Sequence, residues 1–264
     1  QGRLTEYDFF YSEGESPSGE IRVSEEMSAI RPYVGGFSAV GVEVDDAALT
    51  QMIQTQEKIS EIFGQNRRRI SIGIYNLQKI TFPVHYRAVE PNETRFTPLG
   101  MEGPMTLAEV LKTHPKGLAY GSILAGMKRY PILTDSDSRV LSFPPIINSR
   151  EVGEVKVGDR DLFVETTGTD LRLVLLVLNV FAVNLADRGA IIRPVEVVYP
   201  YPTEFGNRFL IPMDFSRPME VSTGEIERAF GEHLSVEEVA RLMDHYGYWV
   251  KRQKAGVQVT CPPY

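Results

Sequence analysis

The chain has 264 residues, 42% of them apolar, and a formal net charge of −7 at pH 7. That is enough for one large domain or two ordinary ones, and no apolar run nears the ~18 residues needed to span a bilayer. The acidic balance argues against sequence-blind nucleic-acid binding, which depends on neutralising phosphates. The single cysteine, Cys261, excludes an intrachain disulfide and a thiolate zinc site, and fits a reducing cytoplasm.

The start, QGRLTEYDFF, lacks the basic and apolar regions of a signal peptide. With no initiator methionine and a stop just after the strand-like VQVTC, the chain is expected to be a piece of a longer protein. SEGESPSG (12–19) reads as a loop. Residues 20–23 and 33–44 alternate as strands, the second with a bulge expected at Gly35 and Gly36. Asp45 and Asp46 offer caps to a helix over 47–63 that Gly64 ends. RRRISIGIYNL (67–77) and FPVHYRAV (82–89) read as strands.

Thr106 and Glu109 form a capping-box pattern opening a short helix to Thr113, and 117–126 reads as helical despite its glycines. YPILTD (130–135) and RVLSF (139–143) predict a hairpin. Within VLSFPPIINS (140–149), two prolines interrupt an apolar run that ends in Asn148. A central strand cannot use Pro144 and Pro145, which have no N–H to give. The bend is either a pocket wall or a buried connection between strands. DLFVET (161–166) is a strand, and TGTD caps a helix over 171–189 so apolar that it should be buried. VEVVYPY (195–201) is a strand. After a Pro- and Gly-rich boundary come helices at 223–231 and 235–247, the second capped by Ser235 with Glu238 at its third position, then strands YWVKRQ and VQVTC.

The familiar catalytic patterns, G-x-S-x-G, the phosphate-binding loop, G-x-G-x-x-G and H-E-x-x-H, are missing. The four histidines are scattered, and no cluster of metal-ligand type exists. Arg67, Arg68 and Arg69 are either a solvated edge or a contact for phosphate or carboxylate. In ETTGTD (165–170), Glu165 is the odd residue, because a carboxylate ending an apolar strand needs a donor.

RRRISIGIYNL, FTPLG, YPILTDS, LSFPPIINS, LFVETTGTD and ADRGAIIRPVEVVYP, in this order, resemble the beta subunit of phenylalanyl-tRNA synthetase in its archaeal and eukaryotic form. The resemblance covers about 28–264. It implies an α+β chain: a B1-like tail and linker (1–27), a mixed-sheet B3/B4-like editing domain with helices packed on the sheet (28–201), a linker (202–217) and a small α+β B5-like domain, truncated at its end (218–264). The implied activity is editing, the ester hydrolysis of tyrosine from mischarged Tyr-tRNA(Phe) with rejection of Phe-tRNA(Phe). The alternative is a non-catalytic fragment for tRNA binding or subunit assembly.

In the family pattern, Leu133, Ser142, Glu165 and Thr167 match positions that read the tyrosine hydroxyl. Leu99, Pro144 and Pro145 match the pocket lining, and Gln56 and Glu57 are further residues of the cleft. Asn148 and Arg68 match positions near the amino-acid backbone and the tRNA 3′ end, where they would position the reacting ester. A positioned water is expected to attack, with no metal and no cofactor for editing; ATP and Mg belong to the whole synthetase. The expected partners are the 3′ end of tRNA(Phe) carrying tyrosine and the synthetase alpha subunit, with no membrane and no DNA. Aminoacylation is not expected from this chain alone.

Overall fold

The computed structural model describes residues 7–11 and 16–264, so part of the loop expected at 12–19 lies outside the described residues. The chain divides into two compact units, one ending at Pro212 and one running Met213–Tyr264 together with the described residues 7–11.

The larger unit contains β1 (Glu20–Val23), β2 (Tyr33–Val40), α1 (Asp46–Ile62), β3 (Ile70–Asn76), β4 (Val84–Val89), β5 (Arg95–Phe96) and β6 (Met105–Thr106). It continues through α2 (Leu107–Thr113), α3 (Pro115–Tyr120), β7 (Tyr130–Thr134), β8 (Val140–Phe143), β9 (Ile147–Asn148), β10 (Asp161–Gly168), α4 (Leu171–Ala186), β11 (Ile191–Val198) and β12 (Arg208–Ile211). Ten strands form one sheet in the order β3-β10-β2-β11-β1-β4-β7-β8-β9, with β12 on β11. β1 pairs in parallel with β11 and β4, and the other pairs are antiparallel, so the sheet is mixed. The fold is α+β.

α4 is apolar around most of its circumference and is buried against β2, β10 and β11. Asp170 caps it by accepting from the Leu173 N–H. Gly35 makes this approach possible, since a Cβ there would lie 2.9 Å from Leu178 Cδ1 and 2.5 Å from Ile211 Cδ1. The expected bulge is absent: β2 and β10 pair without a shift from Tyr33–Gly168 to Val40–Asp161. A second core lies under α2 and holds Val89, Phe96, Leu107, Val110, Phe143 and Ile146. The apolar residues flanking Pro144 and Pro145 are therefore interior ones.

Several boundaries differ from the sequence reading. The strand expected from Arg67 starts at Ile70, because Gln65, Asn66 and Arg67 take positive φ values of 50°, 53° and 67°. That left-handed run, rather than a cap at Gly64, turns the chain out of α1. The helix expected over 117–126 is α3 followed by a 3-10 turn, Gly121–Leu124. β1 falls where a strand was expected at 20–23, within the stretch the resemblance gives as tail; β12 falls in the stretch read as a linker, and both are paired strands of the sheet.

The smaller unit contains β13 (Met219–Ser222), α5 (Thr223–Phe230), α6 (Val236–His245), β14 (Trp249–Gln253) and β15 (Gly256–Thr260). Its sheet runs β13-β15-β14, all antiparallel, and β13 is a strand the sequence reading missed. Capping boxes at Ser222/Glu225 and Ser235/Glu238 open the two helices. Its buried core is Val239, Ala240, Val257 and Val259. Among the described residues, no helix is long and apolar enough to cross a membrane.

Candidate functional site

A cleft of ≈ 510 Å³ opens in the larger unit between α1, β3 and the bend joining β8 to β9. α1 contributes Met52, Ile53, Gln56 and Glu57, and β3 contributes Ser71, Ile72 and Ile74. Ser142, the bend Phe143–Ile147, Asn148, Leu99 and Glu165 also line the cleft. The size suits a small organic ligand, and the lining combines apolar side chains with polar and charged ones.

The wall is held by backbone hydrogen bonds and one arginine. Pro144 and Pro145 are joined by a cis peptide, and the Ile146 N–H donates to Phe143 O at 2.8 Å. Arg67 Nη1 donates to Pro145 O and Ile146 O at 3.1 and 2.9 Å. Its guanidinium lies 4.3 Å from the centre of the Tyr120 ring, within cation–π range. Leu99 N–H donates to Asn148 O at 2.9 Å, tying the 99–100 loop to β9.

Glu165 sits on β10 opposite Gly36 of β2 and Gly73 of β3. Residues directly opposite in an antiparallel pair share a face, so the carboxylate is flanked on both sides by residues without side chains. Tyr75, two residues beyond Gly73, uses this space. Its hydroxyl donates to Glu165 Oε1 at 2.7 Å and lies 3.0 Å from Ser142 Oγ. Glu165 Oε2 is buried and has no hydrogen-bond partner. Desolvation pushes the Glu165 carboxyl up from 4.5 to about 7, against the Tyr75 hydrogen bond and the positive charge of Arg31.

Arg31 is 2% exposed, although it carries a charge. Its Nε donates to Thr167 Oγ1 at 3.1 Å, its Nη2 to Thr167 O at 2.8 Å and Ser71 Oγ at 3.3 Å, and its Nη1 to Arg68 O at 3.1 Å. These acceptors are neutral oxygens. Burial lowers the Arg31 pKa, and the charges of Tyr86 and Glu165 oppose that shift. Among the described residues, no group of three or more His, Cys, Asp or Glu side chains could hold a metal ion.

The structure brings most of the sequence-predicted site residues together. Gln56, Glu57, Leu99, Ser142, Pro144, Pro145, Asn148 and Glu165 all line the cleft. Leu133 and Thr167 do not; both are fully buried, Leu133 opposite Ser142 across β7 and β8, and Thr167 bonded to Arg31 and to the cleft residue Ser71. The Arg68 side chain is exposed, and the arginine that lines the cleft is Arg67. The left-handed turn at 65–67 breaks the alternation that a strand would impose on the three arginines. Arg31, Tyr75 and Ser71 were missed. The one available signal was the Gly73–Tyr75 spacing, which puts a glycine and a phenol on one face of an apolar strand.

No family model matches the chain. It is 42% identical over 240 residues to the phenylalanine–tRNA ligase beta subunit of Borrelia hermsii, covering 90% of this chain and 42% of that protein. The Borrelia recurrentis beta subunit is 37% identical over 264 residues, covering 99% of this chain and 47% of that protein. The crystal structure of an N-terminal fragment of the phenylalanyl-tRNA synthetase beta subunit from Pyrococcus horikoshii superposes with a TM-score of 0.85 at 37% identity. It covers 93% of this chain and 69% of that fragment. The chain belongs to the phenylalanyl-tRNA synthetase beta-subunit family. It spans 42% and 47% of the length of the two Borrelia proteins. In this beta-subunit chain four of the six stretches that carry the resemblance line the cleft: RRRISIGIYNL and FTPLG contribute to it, LSFPPIINS forms its bent wall, and LFVETTGTD supplies Glu165.

Proposed function

We propose that this chain is the editing part of a beta subunit of the archaeal and eukaryotic type, and that the cleft hydrolyses Tyr-tRNA(Phe) while rejecting Phe-tRNA(Phe). The observation that carries the reading is Glu165 Oε2, a buried carboxylate oxygen at a cleft with no donor of its own. A tyrosyl hydroxyl would supply that donor. A phenylalanyl ring would leave the oxygen buried and unpaired, which is how a polar site rejects a ligand lacking one hydroxyl.

In this reading a water attacks the ester carbonyl carbon. The bond to the terminal ribose oxygen breaks, that oxygen takes a proton, and free tyrosine leaves. Asn148 at the wall and Arg68 near the 3′ end act by positioning, a contribution that needs no dedicated base. Leu133, paired with Ser142 across β7 and β8, and Thr167, which anchors Arg31, act on the cleft indirectly. In this reading the B3/B4-like region is 28–201, within the larger unit, and the B5-like region is 218–264, within Met213–Tyr264. The partners are tRNA(Phe) carrying tyrosine and, in the whole cytoplasmic enzyme, the alpha subunit.

The test is release of tyrosine from Tyr-tRNA(Phe) by this chain, with Phe-tRNA(Phe) as control. Selective release is expected, and Glu165→Ala is expected to lower the Tyr/Phe rate ratio about 10- to 100-fold, the worth of a hydrogen bond to a charged group. Folded protein that releases neither amino acid would favour the docking and assembly reading instead.

A further inference from the structure

We propose that Tyr75 sets the preference of the cleft for a phenolic over a plain aromatic side chain, by clamping one oxygen of Glu165 and leaving the other as a vacant acceptor. This rests on the reading of the cleft as a tyrosyl site. It adds a positioning residue that does not line the cleft.

Three observations converge on it. The Tyr75 hydroxyl reaches both Glu165 Oε1, at 2.7 Å, and Ser142 Oγ, at 3.0 Å, the two cleft residues expected to read a substrate hydroxyl. With Oε1 held by this donor, Oε2 is left buried and unpartnered. The surrounding strand is shaped for the clamp: a Cβ at Gly73 would stand 2.1 Å from the Tyr75 hydroxyl and 2.6 Å from Glu165 Oε1. The phenol ring itself is fixed by packing, with its centre 5.9 Å from that of Phe163. Without the clamp, Oε1 has no donor of its own and competes for any incoming one.

The clamp also bears on the charge of Glu165. An O–H donor stabilises the carboxylate, so its loss raises the pH at which Glu165 ionises. The other titratable groups that feel the Glu165 charge are Arg31, from the segment before β2, and Tyr86 of β4. Glu57, Arg67, Lys116 and Glu154 also line the cleft.

The experiment measures binding of L-tyrosinamide and L-phenylalaninamide to the whole chain by chemical-shift titration, from pH 5 to 9. These probes carry no ester, so the result does not depend on hydrolysis. The wild type is expected to prefer tyrosinamide, with a preference that grows as pH rises through about 7, where Glu165 ionises. Tyr75→Phe keeps the ring and removes the hydroxyl. It is expected to cut the preference at pH 7 about tenfold or more and to move the pH midpoint upward, which a loss of packing alone would not do. Gly73→Ala, which displaces the hydroxyl without removing it, should do the same. Unchanged preference and midpoint in both variants would overturn the proposal, as would a wild type that does not distinguish the two amides. If the wild type fails to deacylate Tyr-tRNA(Phe) but both variants lose the tyrosinamide preference, the hydrolase reading falls and the clamp stands. If selective deacylation survives in both variants, the clamp falls and the hydrolase reading stands.

Discussion

The two units treat charge in opposite ways. The larger one takes a guanidinium and a carboxylate inside, with Arg31 2% and Glu165 3% exposed. Among its described residues the smaller one buries no charged side chain; its core is Val239, Ala240, Val257 and Val259, and Glu225 and Glu238 sit exposed at helix N-termini. Taking charge out of water is costly and is tolerated only with partners. At Glu165 the cost coincides with a cleft, and one of its oxygens is left without a partner, whereas Asp135, 1% exposed, is paired with Arg139 and does not line the cleft. Buried, imperfectly satisfied polarity beside a cavity marks a site, whereas surface caps mark stability alone.

The sharpest way to break this contrast is Arg31→Met. The variant removes the donor from Thr167 Oγ1, Thr167 O, Ser71 Oγ and Arg68 O together. The expected loss is about 3–5 kcal/mol from the larger unit, read by urea unfolding followed by circular dichroism. A loss below about 1 kcal/mol, the range of a surface pair, would mean that the buried cation is not an anchor. Removing the cation should also push the Glu165 carboxyl above its value of about 7, because the Arg31 charge is one of the two influences holding it down.

A somewhat smaller effect follows from Glu165 itself. Its carboxyl titrates at about 7 in the folded chain, against 4.5 ordinarily. Between those values the folded chain binds the extra proton. The contribution is therefore fully present below pH 4.5 and is lost as pH rises through 7. The ceiling is on the order of 3 kcal/mol. Stability measured in half-unit pH steps should fall across this window in the wild type and stay flatter in Glu165→Gln. Parallel profiles would remove Glu165 as the titrating group.

What the sequence made legible follows the distance over which each feature is written. The capping boxes at Thr106/Glu109 and Ser235/Glu238 need only a three-residue spacing, and both are present. The apolar character of 171–189 was enough to place α4 in the core, and a carboxylate in an apolar strand was enough to single out Glu165, although β10 runs on to Gly168 and holds it mid-strand rather than at the end expected. Tyr75 and Arg31 were not legible, because their meaning depends on register. Tyr75 meets Glu165 across 90 residues of chain and Arg31 meets Thr167 across 136. No local pattern announces a phenol aimed at a carboxylate in another strand. The arginine run failed for a nearer reason: a strand reading sets alternate faces, and three consecutive positive φ values reset them so that Arg67 enters the cleft.

The smallest expected effect compares one device in both units. Thr106 and Ser235 each accept from the N–H of a glutamate three residues on, at 3.2 Å, and each glutamate bonds back to the cap's own N–H. Replacing either cap with alanine leaves an N–H of the first turn without its acceptor, worth about 1 kcal/mol. The free energies should be alike, but the urea midpoints should not move equally. The midpoint shift is the free-energy loss divided by the denaturant slope, and that slope grows with the surface exposed on unfolding. The smaller unit exposes less, so Ser235→Ala should lower its midpoint more than Thr106→Ala lowers that of the larger unit. The chain's single tryptophan, Trp249, lies on β14, so its fluorescence follows the smaller unit. Tyrosine circular dichroism, weighted by Tyr75, Tyr86 and Tyr199 in the core, follows the larger. Equal midpoint shifts by the two signals would mean that the units unfold with one slope, and the difference in how they treat charge would then have no separate energetic reading.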